Sequence, residues 1–543
     1  MRHLNLLAAV SVLAFTASAT ASDHPMADPN RVRAHVEFLA DDQLEGRGTG
    51  EHGYDVAAVY VATQYRALGL EPGGTDGGWY QYVPFRRATT VAEKTEGTLT
   101  VDGKSIALGA DKFAVRPSLT QAERSGGAEL VFVGYGMDEP LLGYSDYAGV
   151  DVKGKIVVYF RGSPDAQNSD INAHLGSTKL EAAARHGAIG MISIPSSGEG
   201  ADRYFDFYSK RGATGWYDEA GNSSVGDGSI QFNMVLTGDA VDALFQGTST
   251  SLADLRARAA AKEATIGSFP LNARIDVKTA STWEEFKAPQ VIGIMKGEKP
   301  EMADQYVALT GHLDHLGIDK DAKPGEDRIY NGALDNAAGI STMLEAARLY
   351  SIGTEKPDRS LIFIAFAAEE LGLLGSEYYT EHPTVPIDKI VSVVNLDMPV
   401  PLYDFTDVVA FGAAHNTVAE TVAKAGAEMG LSVSPDPMPE QGIFTRSDHY
   451  RFAEKGIPSI LLFTGYSNGG EEEWKNFFAE RYHKKGDDLT QDLHWDALAR
   501  YADLNYRIGL LIADDPQRPR WYEGNYFGDL FDPGGERATP PRP

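Results

Sequence analysis

Residues 360–370 read SLIFIAFAAEE, a run of apolar residues that ends in two glutamates. An unbroken apolar run of this length, rich in Ile and Phe, is typical of a strand buried on both faces of a sheet. Glu369 and Glu370 directly follow that strand. Ligands in open α/β sheets bind in the crevice beyond the carboxyl ends of the strands, so the position of these carboxylates favours a functional role.

The same pattern occurs in the apolar runs before and after this one. Residues 306–310 predict a strand that leads into His312, and residues 390–396 predict a strand that leads into Asp397. Apolar residues at helical spacing occupy 337–350, between two of these strands. The alternation of strands and helices through the second half of the chain predicts an α/β domain with a doubly wound sheet.

Five side chains near these strand ends have the chemistry of metal ligands. Two are histidines and three are carboxylates, the nitrogen and oxygen donors that a pair of zinc ions prefers. They are His312, Asp335, Glu370, Asp397 and His483.

Each of these residues also has an ordinary structural explanation. Asp335 could cap the helix that follows it, and Glu370 could belong to a solvated helix start. Asp397 could serve the turn after its strand, and the histidines could be loop residues with satisfied hydrogen bonds. Five such residues at successive strand ends are better explained together, by one metal-dependent site.

Composition excludes several other classes of protein. Asp and Glu number 77 against 49 Lys and Arg, a formal net charge of −28, and no basic stripe interrupts this surplus. We therefore expect no nucleic acid partner. The chain has no cysteine, which excludes disulfides, thiolate metal sites and a cysteine nucleophile.

The amino terminus has the pattern of a secretory signal. An apolar run at residues 4–15 follows Met1-Arg2-His3, and Ala19-Thr20-Ala21 matches an A-x-A cleavage site. The run is shorter than the roughly 20 residues of a spanning helix, so it predicts no membrane anchor. We expect residues 1–21 to be removed and the protein to be exported, to the periplasm or the medium.

Changes in amino-acid composition and in the pattern of apolar residues divide the mature chain into four parts. We predict a first part of the catalytic domain at 22–120, a β-rich insert at 121–275, the main catalytic domain at 276–515 and a tail at 516–543. Within the insert, the glycine-rich segment 198–228 is expected to be loop. The last residues of the tail, 538–543, are expected to be disordered, and its aromatic residues could dock on the catalytic domain.

The order of these segments resembles the M28 family of zinc peptidases. The resemblance is carried by Leu44-Glu45-Gly46-Arg47, by the strand at 290–293 and by the whole segment from Gly311 to about Asp488. The insert, with Gly134-Tyr135-Gly136 and residues 152–156, resembles the protease-associated (PA) domain of many such proteins. The resemblance implies a zinc-exopeptidase fold, a mixed sheet flanked by helices, with an inserted PA domain.

The resemblance also implies a role for each site residue. Asp335 would bridge two Zn²⁺ ions, with His312 and Asp397 completing one site and Glu370 and His483 the other. Glu369 would be the catalytic base. Asp314 would support His312, Asp487 would support His483, and Asp448 or His449 would line the substrate pocket. The Lys484-Lys485-Gly486 sequence after His483 departs from the Thr-Pro that is frequent in the family.

These observations predict an exported di-zinc exopeptidase that acts on peptides, most simply an aminopeptidase. A glutamate-carboxypeptidase-like or glutaminyl-cyclase-like enzyme of the same fold is an alternative, with Arg446 as a possible carboxylate binder. A non-catalytic binding protein of this architecture is an alternative of another class, but it should have lost ligands, and here all five and the base are present. Oligomeric state, side-chain preference and the role of the insert do not follow from the sequence.

Overall fold

The computed structural model describes residues 24–164, 168–197, 201–220, 223–224, 228–354 and 356–541. The predicted signal peptide, residues 1–21, lies outside the described residues. Of the helices in the described ranges, none is both long enough and apolar enough to cross a membrane.

The described residues form fourteen α-helices and 23 strands. The helices are α1 (Pro29–Leu39), α2 (His52–Ala67), α3 (Ser169–Ser177), α4 (Lys179–Arg185), α5 (Ala201–Lys210), α6 (Asp239–Leu244), α7 (Leu252–Ala260), α8 (Ala338–Ile352), α9 (Leu374–Glu381), α10 (Val418–Glu428), α11 (His449–Ala453), α12 (Gly470–Glu480), α13 (Trp495–Asp514) and α14 (Tyr526–Phe531). The strands are β1 (Glu71–Pro72), β2 (Tyr80–Thr90), β3 (Glu96–Val101), β4 (Lys104–Leu108), β5 (Phe113–Val115), β6 (Glu123–Val133), β7 (Asp138–Glu139), β8 (Tyr144–Ser145), β9 (Ile156–Phe160), β10 (Gly190–Ile194), β11 (Ala213–Trp216), β12 (Phe232–Leu236), β13 (Ser268–Met295), β14 (Tyr306–His312), β15 (Gly317–Ile318), β16 (Ile329–Tyr330), β17 (Ser360–Phe366), β18 (Ile390–Asn395), β19 (Asp407–Phe411), β20 (Ser432–Ser434), β21 (Ser459–Thr464), β22 (Trp521–Tyr522) and β23 (Arg537–Ala538).

The sheet that carries the candidate site has the strand order β11-β2-β13-β17-β14-β18-β21-β19-β20. Its four central strands, from β17 to β21, run parallel, whereas β13 and β19 pair antiparallel at their flanks. The prediction of a mixed sheet flanked by helices is confirmed.

Both faces of this sheet are covered. Along β17, Phe363 and Ala365 belong to one hydrophobic core, which also contains residues of α8 and α13. Ile362 and Ile364, which point to the opposite face, belong to a second core. Alternate residues of one strand thus pack into different cores, which explains why the central strands have unbroken apolar sequences.

A second sheet lies alongside, with the strand order β4-β3-β13-β6-β9-β10-β12-β5. The long strand β13 belongs to both sheets. Its amino-terminal half pairs with β3 and β6, and its carboxyl-terminal half, from Ser281, pairs with β2. The second sheet includes β3, β4 and β5, so it begins ahead of residue 121, where the insert was predicted to start.

Two local predictions were wrong. The segment 198–228 was expected to be loop, but it contains α5 and β11, and β11 adds an edge strand to the sheet that carries the candidate site by pairing with β2. Ala538 was expected to be disordered, but it pairs with Tyr522 in a two-stranded sheet. Trp521 and Phe527 in the tail are buried, and this apolar contact accounts for the order of the tail.

Candidate metal centre

The structure brings the five predicted ligands to one edge of the sheet whose central strands are β17, β14, β18 and β21. His312 ends β14, and Glu370 and Asp397 follow the neighbouring strands β17 and β18. Because these three strands are parallel and adjacent, their carboxyl ends meet at the same edge. Asp335 lies just ahead of α8, and His483 lies in the loop after α12.

The carboxylate of Asp335 lies between two histidines. One oxygen, Oδ1, is 3.2 Å from His312 Nε2, which is also 3.1 Å from Asp397 Oδ1. The other, Oδ2, is 3.3 Å from His483 Nε2, which is 3.2 Å from Glu370 Oε2. The five side chains therefore form two groups of three donor atoms that share Asp335.

These spacings fit metal ions of the zinc type. Two ligand atoms that are each roughly 2.0–2.1 Å from one tetrahedral zinc ion lie about 3.3 Å from each other. The observed donor separations of 3.1 to 3.3 Å in both groups agree with this value. His312, Asp335 and Glu370 also offer ligand atoms that all lie within 4.8 Å of one another.

The charge balance of the centre favours a bound cation as well. Buried carboxylates are costly unless positive charge compensates them. Five buried aspartates surround the centre, and they are Asp314, Asp335, Asp397, Asp448 and Asp487. Burial alone would raise the pKa of Asp335, but hydrogen bonds from His312 and His483 outweigh it and hold that pKa well below its usual range.

Glu369 lines the cavity at the centre together with His312, Asp335 and Asp397. Burial raises the pKa of Glu369 well above its usual range, the positive charge of His312 opposes this, and the carboxylates of Glu370 and Asp397 add to it. A carboxylate with a raised pKa accepts a proton more readily near neutral pH than an ordinary one. Glu369 thus has the position and basicity of a general base.

The partner of His312 differs from the expectation. Its Nδ1 is 3.0 Å from the main-chain oxygen of Asp314, whereas the Asp314 carboxylate is 3.9 Å away. That carboxylate accepts hydrogen bonds from Thr49 Oγ1 and from the backbone N–H of Glu369. Asp314 therefore orients the histidine through its backbone and the loop of Glu369 through its side chain.

Asp487 supports a ligand other than the one the sequence suggested. Its carboxylate accepts the backbone N–H groups of Leu334 and Asp335, at 2.9 and 3.0 Å. It thus fixes the loop that carries Asp335. The lysines after His483 have other partners, since Lys484 donates to the main-chain oxygen of Ala479 and Lys485 pairs with Asp319.

Asp448 and His449 do not line the cavity, in contrast to the prediction. Both side chains are fully buried at the start of α11, and burial raises the pKa of Asp448 to about 7 and lowers that of His449 to about 3. The preceding residues, Arg446 and Ser447, line the cavity instead. The rest of its wall is mainly apolar, formed by Met398, Ile443, Leu461, Phe463, Phe478 and Tyr482.

Arg47 is a residue whose structural role the sequence did not reveal. Its buried guanidinium donates to the main-chain oxygens of Leu39, Leu313, Asn331 and Gly332. Burial lowers its pKa to about 10, so it stays cationic at neutral pH. Arg47 joins the segments behind His312 and Asp335, and no local spacing could indicate partners that lie up to 285 residues away.

Comparisons with known proteins agree with this geometry. A sequence model of the protein family described as "Peptidase family M28" matches residues 290–508 of this chain. Leupeptin-inactivating enzyme 1 of Streptomyces exfoliatus is 33% identical over 201 residues, which cover 35% of this chain and 43% of that protein. Aminopeptidase YwaD of Bacillus subtilis is 32% identical over 214 residues, which cover 37% of this chain and 43% of that protein.

The chain thus spans less than half the length of these curated relatives. A solved structure titled as an aminopeptidase from Aneurinibacillus sp. strain AM-1 aligns with 91% of this chain and 95% of its own, at 22% identity and a TM-score of 0.49. The region matched by the family model contains the central parallel strands and all five candidate ligands, and over this region, residues 290–508, the chain is similar to peptidase family M28.

Proposed function

We propose that this protein is an exported aminopeptidase that uses two zinc ions to release amino-terminal residues from peptides. The observation that carries the proposal is the placement of the Asp335 carboxylate between His312 with Asp397 and His483 with Glu370. A bridging carboxylate with a separate histidine and acid on each side is the ligand set that a two-metal hydrolase needs.

His312, Asp397 and Asp335 Oδ1 would hold one ion, and His483, Glu370 and Asp335 Oδ2 the other. Zinc, when bound, supplies the Lewis acidity that polarises a peptide carbonyl and makes a water molecule acidic. Glu369 accepts the proton of the attacking water and returns it to the leaving amine. Its neighbour Glu370 faces His483, which leaves the carboxylate of Glu369 free for this task.

The walls of the cavity suit the end of a peptide that carries a free amine. The carboxylates attract an ammonium group, and the apolar wall formed by Phe463, Phe478 and Ile443 accepts an apolar side chain. Arg446 is the single Lys or Arg side chain among the described residues that line this cavity. The presence of Arg446 in the cavity wall favours the carboxypeptidase-like alternative, since a guanidinium can bind a substrate carboxylate.

The decisive variant is Glu369→Gln, which keeps the shape of the side chain but removes the base. We expect kcat on aminoacyl anilides to fall by about 10²- to 10⁴-fold, the usual contribution of general base catalysis. Metal analysis should find two zinc ions per chain in both the wild type and the variant. Glu472→Gln, the same change at an exposed position of α12, is the matched control.

Full activity of Glu369→Gln would overturn the assigned base, and a single retained zinc ion would overturn the bridging role of Asp335. Cleavage of peptides with blocked amino termini, but not of aminoacyl anilides, would favour the alternative over the aminopeptidase. Export is tested on the same preparation by sequencing its amino terminus, which should begin at Ser22. A retained Met1 would contradict cleavage.

A further inference from the structure

His315 is a buried histidine at the metal centre to which the proposed mechanism gives no role. It lies three residues after His312, and its Nδ1 is 2.7 Å from Oε1 of Glu370. The other oxygen of Glu370, Oε2, is 3.2 Å from His483 Nε2. The two oxygens of this carboxylate therefore face two different histidines.

The contact between His315 and Glu370 joins atoms that have no other hydrogen-bond partner among the described residues. Both ring nitrogens of His315 and Oε1 of Glu370 are buried, and none of them makes a well-aligned hydrogen bond within the described part of the chain. Buried polar atoms are normally paired. The separation of 2.7 Å between His315 Nδ1 and Glu370 Oε1 is already that of a hydrogen bond.

The surroundings of the ring restrict it to this place. The backbone N–H of His315 donates to the main-chain oxygen of Arg47 at 3.2 Å. Gly332 covers the ring, since a Cβ at this glycine would lie 2.6 Å from His315 Cγ. The glycine also has φ +59°, a conformation that other residues rarely adopt. The imidazole is thus packed between two backbone segments and Glu370.

The distances distinguish His315 from the ligands. Its Nδ1 is 3.9 Å from Asp335 Oδ2, whereas His483 Nε2 is 3.3 Å from the same oxygen. His315 approaches Glu370 on the oxygen that does not face His483. The ring stands behind the carboxylate and outside the group of atoms that would surround an ion.

We propose that His315 is a positioning residue that donates its Nδ1–H to Glu370 Oε1 and thereby turns Oε2 towards His483 and Asp335. This role rests on the proposed two-zinc function. Partners behind a metal ligand fix its orientation, and their loss typically costs about 10- to 100-fold in metal affinity. Only the ion held by Glu370 and His483 should be affected, because the other group does not include Glu370.

Two substitutions separate the donor from the packing. His315→Leu fills much of the space without a donor, whereas His315→Asn places an amide nitrogen near the position of Nδ1. We expect zinc titration of the metal-free proteins, without substrate, to give about 10- to 100-fold weaker binding of one of two ions in His315→Leu. His315→Asn should recover most of this loss, and the second ion should bind equally in all three proteins.

The outcomes also separate this inference from the proposed function. A wild type that binds fewer than two zinc ions overturns the two-zinc function and this role together. Two wild-type sites with unchanged affinity in His315→Leu overturn the positioning role alone, and so does equal weakening in His315→Leu and His315→Asn, since packing then explains it. Thermal melting of the metal-free variants checks the fold. If His315→Leu does not fold, His315→Gln, whose amide nitrogen takes the place of Nε2, lacks the same donor.

Discussion

Asp397 is held in place by a chain of buried polar side chains. Thr310 Oγ1 donates to Asn395 Oδ1, and Asn395 Nδ2 donates to Ser447 Oγ, both at 2.7 Å. The Ser447 hydroxyl, which has one hydrogen, donates it to Asp397 Oδ2 at 2.6 Å. Each donor has its acceptor, so the network sets which oxygen of Asp397 is left for His312 and an ion.

Ser447→Ala should therefore weaken the metal site without touching a ligand. It removes the hydrogen bond to Asp397 and leaves the Asn395 amide without its acceptor, so we expect about 10- to 100-fold weaker zinc binding and a stability loss of about 1–3 kcal/mol. Competition titration with a zinc chelator measures the first effect, and urea denaturation the second. Ser209→Ala, at an exposed hydroxyl of α5, should change neither. Wild-type zinc affinity in Ser447→Ala would show that the network does not orient Asp397.

At the level of single residues, the sequence indicated the candidate ligands more readily than the groups that lie behind them. Metal-capable side chains at the ends of apolar strands stand out, and the structure brings all five together. Ser447 precedes a short helix, and such a serine is usually a helix cap. Its actual partners, Asn395 and Asp397, belong to a strand end about 50 residues away, which local pattern cannot indicate.

At the level of elements, the central strands of the first sheet were predictable from the sequence. The long strand β13, which belongs to both sheets, was not. β14, β17 and β18 are buried on both faces and have continuous apolar sequences. β13 runs from Ser268 to Met295, but the sequence indicated a strand only at 290–293, because the exposed positions of β13 carry charges such as Glu284 and Lys287. Its length follows from pairing with two sheets, and α5 and β11 were missed because glycines surround them.

The contact between α8 and the end of β18 depends on a glycine in the first turn of the helix. A Cβ at Gly339 would lie 2.0 Å from Asn336 Oδ1 and 2.3 Å from the main-chain oxygen of Leu396. Asn336 in turn accepts the N–H of Gly339 and donates to the Leu396 oxygen. A side chain here would push the helix away from the strand and shift the loop of Asp335.

We therefore expect Gly339→Ala to destabilise the protein by about 1–3 kcal/mol, as overpacking does, and to weaken zinc binding. Urea denaturation and zinc titration measure the two effects. Gly176→Ala is the matched control, because Gly176 lies in α3 with open space around its Cβ position. There, alanine should raise stability by up to about 1 kcal/mol through helix propensity. Equal stability of the two variants would contradict the close contact.

At the scale of the whole molecule, the carboxyl-terminal tail, α3 and α11 meet around His174. This histidine of α3 lies with its Nδ1 2.6 Å from the hydroxyl of Tyr450 in α11. The rings of Phe527 and Phe531 in the tail pack edge-on against it. Tyr526 of the tail also donates to Glu139, so three distant parts of the chain are joined at one buried point.

This junction should weaken in acid. Burial lowers the pKa of His174 to about 4, with Glu139 opposing the shift and Arg185 adding to it. Since its folded pKa lies below the ordinary value of about 6.5, the unfolded chain binds the proton more strongly. The contribution of neutral His174 is therefore complete above pH 6.5 and is lost as the pH falls towards 4.

Between pH 7.5 and pH 5.0, this titration should cost about 2 kcal/mol of unfolding free energy, since each pKa unit corresponds to about 1.4 kcal/mol. Other buried histidines and carboxylates titrate too, so the quantity to measure is a difference between proteins. Urea denaturation at both pH values should show that His174→Gln, which cannot be protonated, loses about 2 kcal/mol less than the wild type. His52→Gln, at an exposed histidine of α2, should follow the wild type. Parallel losses in the wild type and His174→Gln would mean that the junction of tail, α3 and α11 does not respond to protonation of His174.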